Sequence, residues 1–251
     1  MNKQILNKIK EKREFSQLPE KDIEMAYEQF EKRQATEEEK IRLTKGLLRK
    51  VFSAFISKKL LSLKNKDEEW ILRKHISTRE RLPYYEEIYK RILGNYKSAS
   101  IIDLGAGING FSYKFFNRKI TYTAIESVGQ LIDLMNYYFK KKKVNGKAIH
   151  LSLFELEKVK EVIKKEKKPR LVSLFKVIDA LETLKRDYSK ELISEIVSVS
   201  DKIVVSFATK SLGSREKFKA KRDWIVDFIK ENFNLLDDFE FGGERYIVFI
   251  K

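Results

Sequence analysis

Hydrophobic positions along the chain change their period near residue 98. Before that point they recur at helical spacing. Leu18-Pro19-Glu20-Lys21-Asp22-Ile23 reads as a helix start with proline in the first turn, and Ile23, Ala26, Tyr27 and Phe30 follow it on one face. Leu43, Leu47, Leu48, Val51, Phe52, Phe55 and Ile56 mark a second amphipathic helix whose other face carries Arg42, Lys45, Arg49 and Lys50. From about residue 99, short apolar runs take over. They predict strands over Ser100–Leu104, Thr121–Ile125, Ala148–Leu151, Leu171–Phe175, Lys202–Phe207 and Tyr246–Ile250, with helices near 127–142, 155–167, 187–199 and 214–232. Such alternation predicts an α/β fold with a mostly parallel sheet covered on both faces. The last run follows Gly242-Gly243 and suits an antiparallel final strand. The chain thus divides into a helical N-terminal domain over 1–98 and an α/β domain over 99–251.

Composition narrows the chemistry. None of the 251 residues lie in an apolar run of the ~18 needed to span a membrane. The first residues alternate in charge and lack the apolar core of a secretory signal, which predicts a cytoplasmic protein. No cysteine is present and the only histidines are His75 and His150, so disulfides, Cys-based zinc sites and multi-His metal sites are excluded within one chain, and no metal is expected. A formal net charge of +16 creates a field that attracts polyanions, nucleic acid above all. A chain in which 36% of residues are charged has a plainer reading too, a general enrichment in lysine. The basic face of the second helix is either solvated or laid on phosphates.

The run Ile101-Ile102-Asp103-Leu104-Gly105-Ala106-Gly107 is a strand entering a glycine turn that leads into a helix. Glycines there let backbone approach a ligand that a Cβ would exclude. Gly105-Ala106-Gly107-Ile108-Asn109-Gly110 also satisfies the G-x-G-x-x-G dinucleotide pattern, so the turn alone leaves two cofactors open. Asp103, placed just before the glycines, resembles the hhDxGxG motif of class I methyltransferases and favours S-adenosylmethionine. Glu126 ends the second strand, where a carboxylate can accept both ribose hydroxyls, a device that NAD enzymes share.

Four segments carry a narrower resemblance. They are His75-Ile76-Ser77-Thr78-Arg79-Glu80-Arg81-Leu82, the turn Asp103–Asn109, Lys176-Val177-Ile178-Asp179-Ala180-Leu181-Glu182, and Val204-Val205-Ser206-Phe207-Ala208-Thr209-Lys210-Ser211-Leu212-Gly213. Together they resemble the 16S rRNA guanine-N7 methyltransferases of the aminoglycoside-resistance type. That likeness implies a class I methyltransferase (Rossmann-like) fold behind a helical, RNA-binding N-terminal domain. It implies S-adenosyl-L-methionine as cofactor, held by His75, Thr78, Arg81, Asp103, Gly105, Ala106, Gly107, Asn109, Glu126 and Phe175, with Arg81 on its carboxylate. It implies 16S rRNA in the 30S subunit as partner, engaged by Lys176, Glu182, Lys210, Ser211 and Arg215, and a monomeric enzyme. No single catalytic group is implied; Lys176, Glu182 and Lys210 position the target. Ser77 and Thr78 either cap the following helix or bond near the cofactor. Phe175, Phe207 and Phe218 either stack on a base or fill the core.

The sequence departs from the family at several places. Gly110 and Ala208 stand where the family has proline, and a characteristic methionine near the end of the loop after Gly213 is missing. After the third strand, where an acid often meets the adenine edge, the chain reads Ser152-Leu153-Phe154-Glu155, leaving Ser152, Leu153 and Phe154 as alternatives. Two other readings stay open: methylation of another RNA base or another RNA, and a non-catalytic RNA-binding or ribosome-assembly protein.

Overall fold

The computed structural model describes residues 1–53, 66–209 and 222–251. Its N-terminal part packs α1 (Lys3–Lys10), α2 (Glu20–Glu31) and α3 (Glu37–Leu48), the last continuing into a π-helical turn over Arg49–Ser53. Pro19 is the residue just before α2, one position earlier than the sequence predicts, and Ile23, Ala26 and Tyr27 are buried as expected. Capping sets two of these starts: Asn2 accepts from Ile5 N and Thr36 from Glu39 N. Phe55 and Ile56, expected on the second helix, lie outside the described residues. Three short helices lead to the sheet: α4 (Glu68–Leu72), α5 (Ile76–Arg81) and α6 (Tyr85–Leu93).

The sheet has seven strands. In chain order they are β1 (Ser98–Leu104), β2 (Lys119–Glu126), β3 (Gly146–His150), β4 (Arg170–Phe175), β5 (Lys202–Ala208), β6 (Asn234–Phe241) and β7 (Glu244–Ile250), arranged β3-β2-β1-β4-β5-β7-β6. The first five run parallel, and β7 is antiparallel to both β5 and β6. Between the strands lie α7 (Gly129–Lys142), α8 (Leu156–Lys165), α9 (Ile178–Leu184), α10 (Tyr188–Val197) and α11 (Asp223–Asn232). This is the class I methyltransferase arrangement, and it bears out the predicted α/β class with an antiparallel last strand.

Two elements, β6 and α9, carry no clear sequence signal. The edge strand β6 reads Asn-Leu-Leu-Asp-Asp-Phe-Glu-Phe; it lies at the sheet margin, leaves Leu235 and Leu236 exposed, and carries a register shift between Leu235 and Asp237, so it shows no clean alternation. Helix α9 spans under two turns, too short for a periodic signal. The segment after the glycine turn, where the sequence predicts a helix, is a 3-10 helix over Asn109–Phe116.

Strand alternation sorts the core into two layers. Ile101, Tyr122, Ala124 and Val204 face α6, α7 and the N-terminal helices, whose Ile9, Leu18, Ile23 and Leu48 join the same buried cluster. Ile102, Val172, Val205 and Ile247 face the other way, toward α8, α10 and α11. Because β1 is flanked by β2 on one side and β4 on the other, the strand order reverses at β1, and a cleft opens beyond the carboxyl ends of the parallel strands.

Candidate active site

The cleft is walled by residues from both parts of the chain. Asp22, Val51, Phe52, His75 and Arg81 come from the N-terminal helices; Asp103, the Gly105–Gly107 turn, Glu126, Leu153, Phe154, Phe175 and Lys176 come from strand ends. Gly105 and Gly107 have φ of +67° and +54°, which L side chains rarely adopt. A Cβ on Gly105 would fall 2.5 Å from Val177 Cγ2, so only glycine keeps the turn open. Gly110 serves packing: a Cβ there would meet Phe139 Cζ at 2.8 Å and Met135 Sδ at 3.1 Å. The space that a proline ring would occupy is thus filled by α7, which accounts for glycine at this departure from the family pattern.

Glu126 is held by backbone. Its Oε2 accepts from Gly107 N at 2.8 Å and its Oε1 from Val128 N at 3.0 Å. Burial pushes its pKa up, and these N–H groups pull it back. Each oxygen keeps a second lone pair for a ligand hydroxyl. Asp103 is spent differently. Oδ2 accepts from Asn109 Nδ2 at 2.8 Å and Tyr122 Oη at 2.5 Å, and Oδ1 accepts from Ser173 Oγ at 2.8 Å. It therefore organises the turn through Asn109, whose Oδ1 in turn accepts from Tyr85 Oη and Arg81 Nη1.

The family likeness places Arg81 on the cofactor's carboxylate; an arginine in this short helix could equally be a surface residue paired with a neighbouring glutamate. The structure excludes the surface arginine: Arg81 is 3% exposed, and its Nε lies 3.1 and 3.0 Å from the two oxygens of Glu244. Burial is the largest influence and works against its charge, but Glu244 together with Tyr85 and Tyr246 outweighs it, so the guanidinium stays protonated. Its carbon stands 5.0 Å over the Phe175 ring. Lys176 joins the cluster, with Nζ 2.5 Å from Glu80 and 3.2 Å from Glu244, and its backbone φ of 56° is unusual for a lysine. Glu244 was not foreseen. It reaches Arg81 and Lys176, behind the cleft wall, because β7 is antiparallel: its first residue pairs with Ala208, at the carboxyl end of β5.

Around His75, Ser77 Oγ lies 2.8 Å from Nδ1, while Thr78 Oγ1 donates to the Leu72 and His75 carbonyls. Burial first, then Arg81 and Lys176, lower the histidine pKa to about 4, so it is neutral at pH 7. Of the three adenine alternatives, Leu153 and Phe154 line the cleft, whereas Ser152 does not and bonds Asp22 instead.

Glu182, expected to meet the RNA, is engaged within the chain. Its carboxylate accepts from Asp187 N, Ser189 N and Ser189 Oγ, fastening the start of α10, and it is not on the cleft wall. Phe207 is buried in the core. Lys210, Ser211, Arg215 and Phe218 lie outside the described residues. The described residues contain no group of three or more His, Asp or Glu side chains able to hold a metal, and no helix among them is long and apolar enough to cross a membrane. Neither Asp22 nor Glu244 carries a sequence signal: one reads as an acid in a helix's first turn, the other as a polar strand start.

Comparison with known proteins agrees with this geometry. The family described as "Ribosomal RNA methyltransferase (FmrO)" matches residues 39–227. A 16S rRNA (guanine(1405)-N(7))-methyltransferase of Micromonospora echinospora is 30% identical over 184 residues, covering 70% of this chain and 63% of that protein. The corresponding enzyme of Micromonospora rosea is 30% identical over 146 residues, covering 57% of this chain and 50% of that protein. The match thus spans between half and two thirds of those relatives' length. Among solved structures, the 16S rRNA methyltransferase RmtF in complex with S-adenosyl-L-homocysteine superposes with a TM-score of 0.80 at 18% identity over 100% of both chains. The 16S rRNA methylase ArmA gives 0.60 at 25% identity over 76% of this chain and 95% of that one.

Proposed function

The chain belongs to the ribosomal RNA methyltransferase (FmrO) family, and from that premise we propose that it methylates guanine N7 in 16S rRNA, within the assembled 30S subunit, using S-adenosylmethionine. The observation that carries this reading is the cleft itself. A glycine turn that tolerates no Cβ at Gly105 stands beside a carboxylate anchored by two backbone N–H groups. These residues fit the cofactor: Glu126 would take the ribose hydroxyls, Gly105–Gly107 its close approach, Leu153 and Phe154 the base, and Arg81 the carboxylate.

When bound, S-adenosylmethionine supplies a methyl group on a positively charged sulfur. Guanine N7 exposes an in-plane lone pair, so no residue has to remove a proton before attack, and the work left to the chain is positioning. His75, neutral at pH 7, offers no general-acid chemistry and serves orientation. Lys176 stands at the mouth of β4 with its charge matched by Glu80 and Glu244, placed to hold the target nucleotide. Lys210, Ser211 and Arg215 are assigned to the RNA backbone by resemblance, and the helices of residues 1–98 to the ribosomal surface. Glu182 is left out of the RNA set, since capping α10 accounts for it.

The reading further takes the enzyme to be a cytoplasmic monomer that needs no metal. Purified 30S subunits, incubated with the chain and radiolabelled cofactor, are expected to take up label at one guanine, read by mass spectrometric base mapping. Label in tRNA, protein or another base of the subunit, with that guanine unmodified, refutes the assigned target.

A further inference from the structure

Asp22 brings an unpaired acceptor to the cleft. Its Oδ1 accepts from Ser152 Oγ at 2.7 Å, while Oδ2 is buried with no hydrogen-bond partner, and the residue lines the cleft. The residue is 1% exposed. Burial raises its pKa to about 6 against the opposing pull of the Ser152 and Ser127 hydroxyls, and the charged groups acting on it, Glu126 and Glu155, are both acidic. A buried carboxylate oxygen whose charged neighbours are acids keeps room for an N–H or O–H donor.

The surroundings say which donor fits. Val128, Leu131, Leu153, Phe154 and Leu184 line the same cleft and make an apolar slot suited to a flat ring. Glu126 stands two residues before Val128, so a sugar held by Glu126 would carry its base into that slot. At the exit of β3 the chain offers Ser152, which does not reach the wall but donates to Asp22. We infer that Asp22, on the N-terminal helix α2, accepts a hydrogen bond from the exocyclic amino group of the cofactor's adenine. The acceptor for the base thus comes from the N-terminal helices and not from the strand end. Helix α2 is held for this task at its other end, where Gln29 Nε2 donates to the Thr183 and Leu184 carbonyls of α9. Cofactor binding would then clasp α2 to the sheet.

This inference rests on the cofactor reading above, and one experiment separates the two. Calorimetry on the full chain compares S-adenosylhomocysteine with its 6-deamino analogue, in which hydrogen replaces the amino group, for the wild type and for Asp22→Ala. The wild type is expected to lose roughly ten- to a hundredfold in affinity on deamination, as for a hydrogen bond to a charged acceptor. Asp22→Ala should bind both ligands alike, at the weaker level. If Asp22→Ala does not fold, Asp22→Asn takes its place and should cut the amino group's contribution severalfold. Equal binding of both ligands by the wild type, or an undiminished amino preference in the variants, overturns the inference alone. No binding of S-adenosylhomocysteine by the wild type overturns the cofactor reading, and the inference with it.

Discussion

Replacing Asp22 by asparagine should make the ligand-free protein more stable at neutral and alkaline pH. In the folded chain the carboxyl holds its proton up to about pH 6, against an ordinary 3.8. The folded state therefore binds more protons than the unfolded one between those values, and stability falls as pH rises through that window. The penalty is absent well below pH 3.8 and complete above about 6. At ~1.4 kcal/mol per pH unit it amounts to ~3 kcal/mol. Asparagine removes the ionisation but places an amide N–H where Oδ2 now lies, which costs about 1 kcal/mol if it finds no acceptor. A net gain of ~2 kcal/mol corresponds to a rise of roughly 4–8 °C in Tm for a chain of this size. Thermal unfolding of the wild type and Asp22→Asn, followed at pH 8 and at pH 4.5, measures this directly. The gain should be present at pH 8 and nearly vanish at pH 4.5. A variant no more stable than the wild type at pH 8, or a difference independent of pH, refutes the assignment of a buried, ionised, poorly satisfied Asp22.

Four further outcomes follow from the same structure. Glu244→Gln leaves the buried Arg81 without its counter-charge and should lower urea-unfolding stability by ~3 kcal/mol; a loss below ~1 kcal/mol would mean that Arg81 does not depend on Glu244. Gly105→Ala, which sets a Cβ 2.5 Å from Val177 Cγ2 at a positive φ, should abolish binding of S-adenosylhomocysteine, whereas Gly46→Ala, with nothing within 4 Å, should raise the urea midpoint by the equivalent of ~1 kcal/mol. His75 is held neutral down to about pH 4 where an ordinary histidine charges near 6.5, so stability is lost as pH falls through that interval. His75→Gln should flatten this acid limb by up to ~3 kcal/mol, and an unchanged limb in pH-dependent urea unfolding would contradict the burial of His75.

Much of the molecule is written locally. The parallel strands are continuous apolar runs because both faces of the sheet are covered, so each is legible without its neighbours. The glycine turn is legible for a like reason: its backbone angles exclude side chains whatever packs around it. Asp103 stands next to the turn in the chain, and its spacing marked it as important. What it does, bonding Asn109, Tyr122 and Ser173, needed three separate segments to converge. Edge strand β6 and the short helix α9 lack any period of their own, and only the sheet margin and the α2 contact give them their places.

The sequence by itself determined the α/β order, the cofactor turn, Glu126 at the second strand's end and the family likeness, all features carried by neighbouring residues or by a fixed period. The tertiary structure alone decided which polar groups meet at and behind the cleft wall. Arg81 and Glu244 are 163 residues apart, and Ser152 and Asp22 are 130 apart. No spacing rule links such pairs. Glu244 arrives because β7 runs antiparallel, and Asp22 because α2 packs across the open ends of the parallel strands; direction and packing are properties of the assembled sheet, not of either segment.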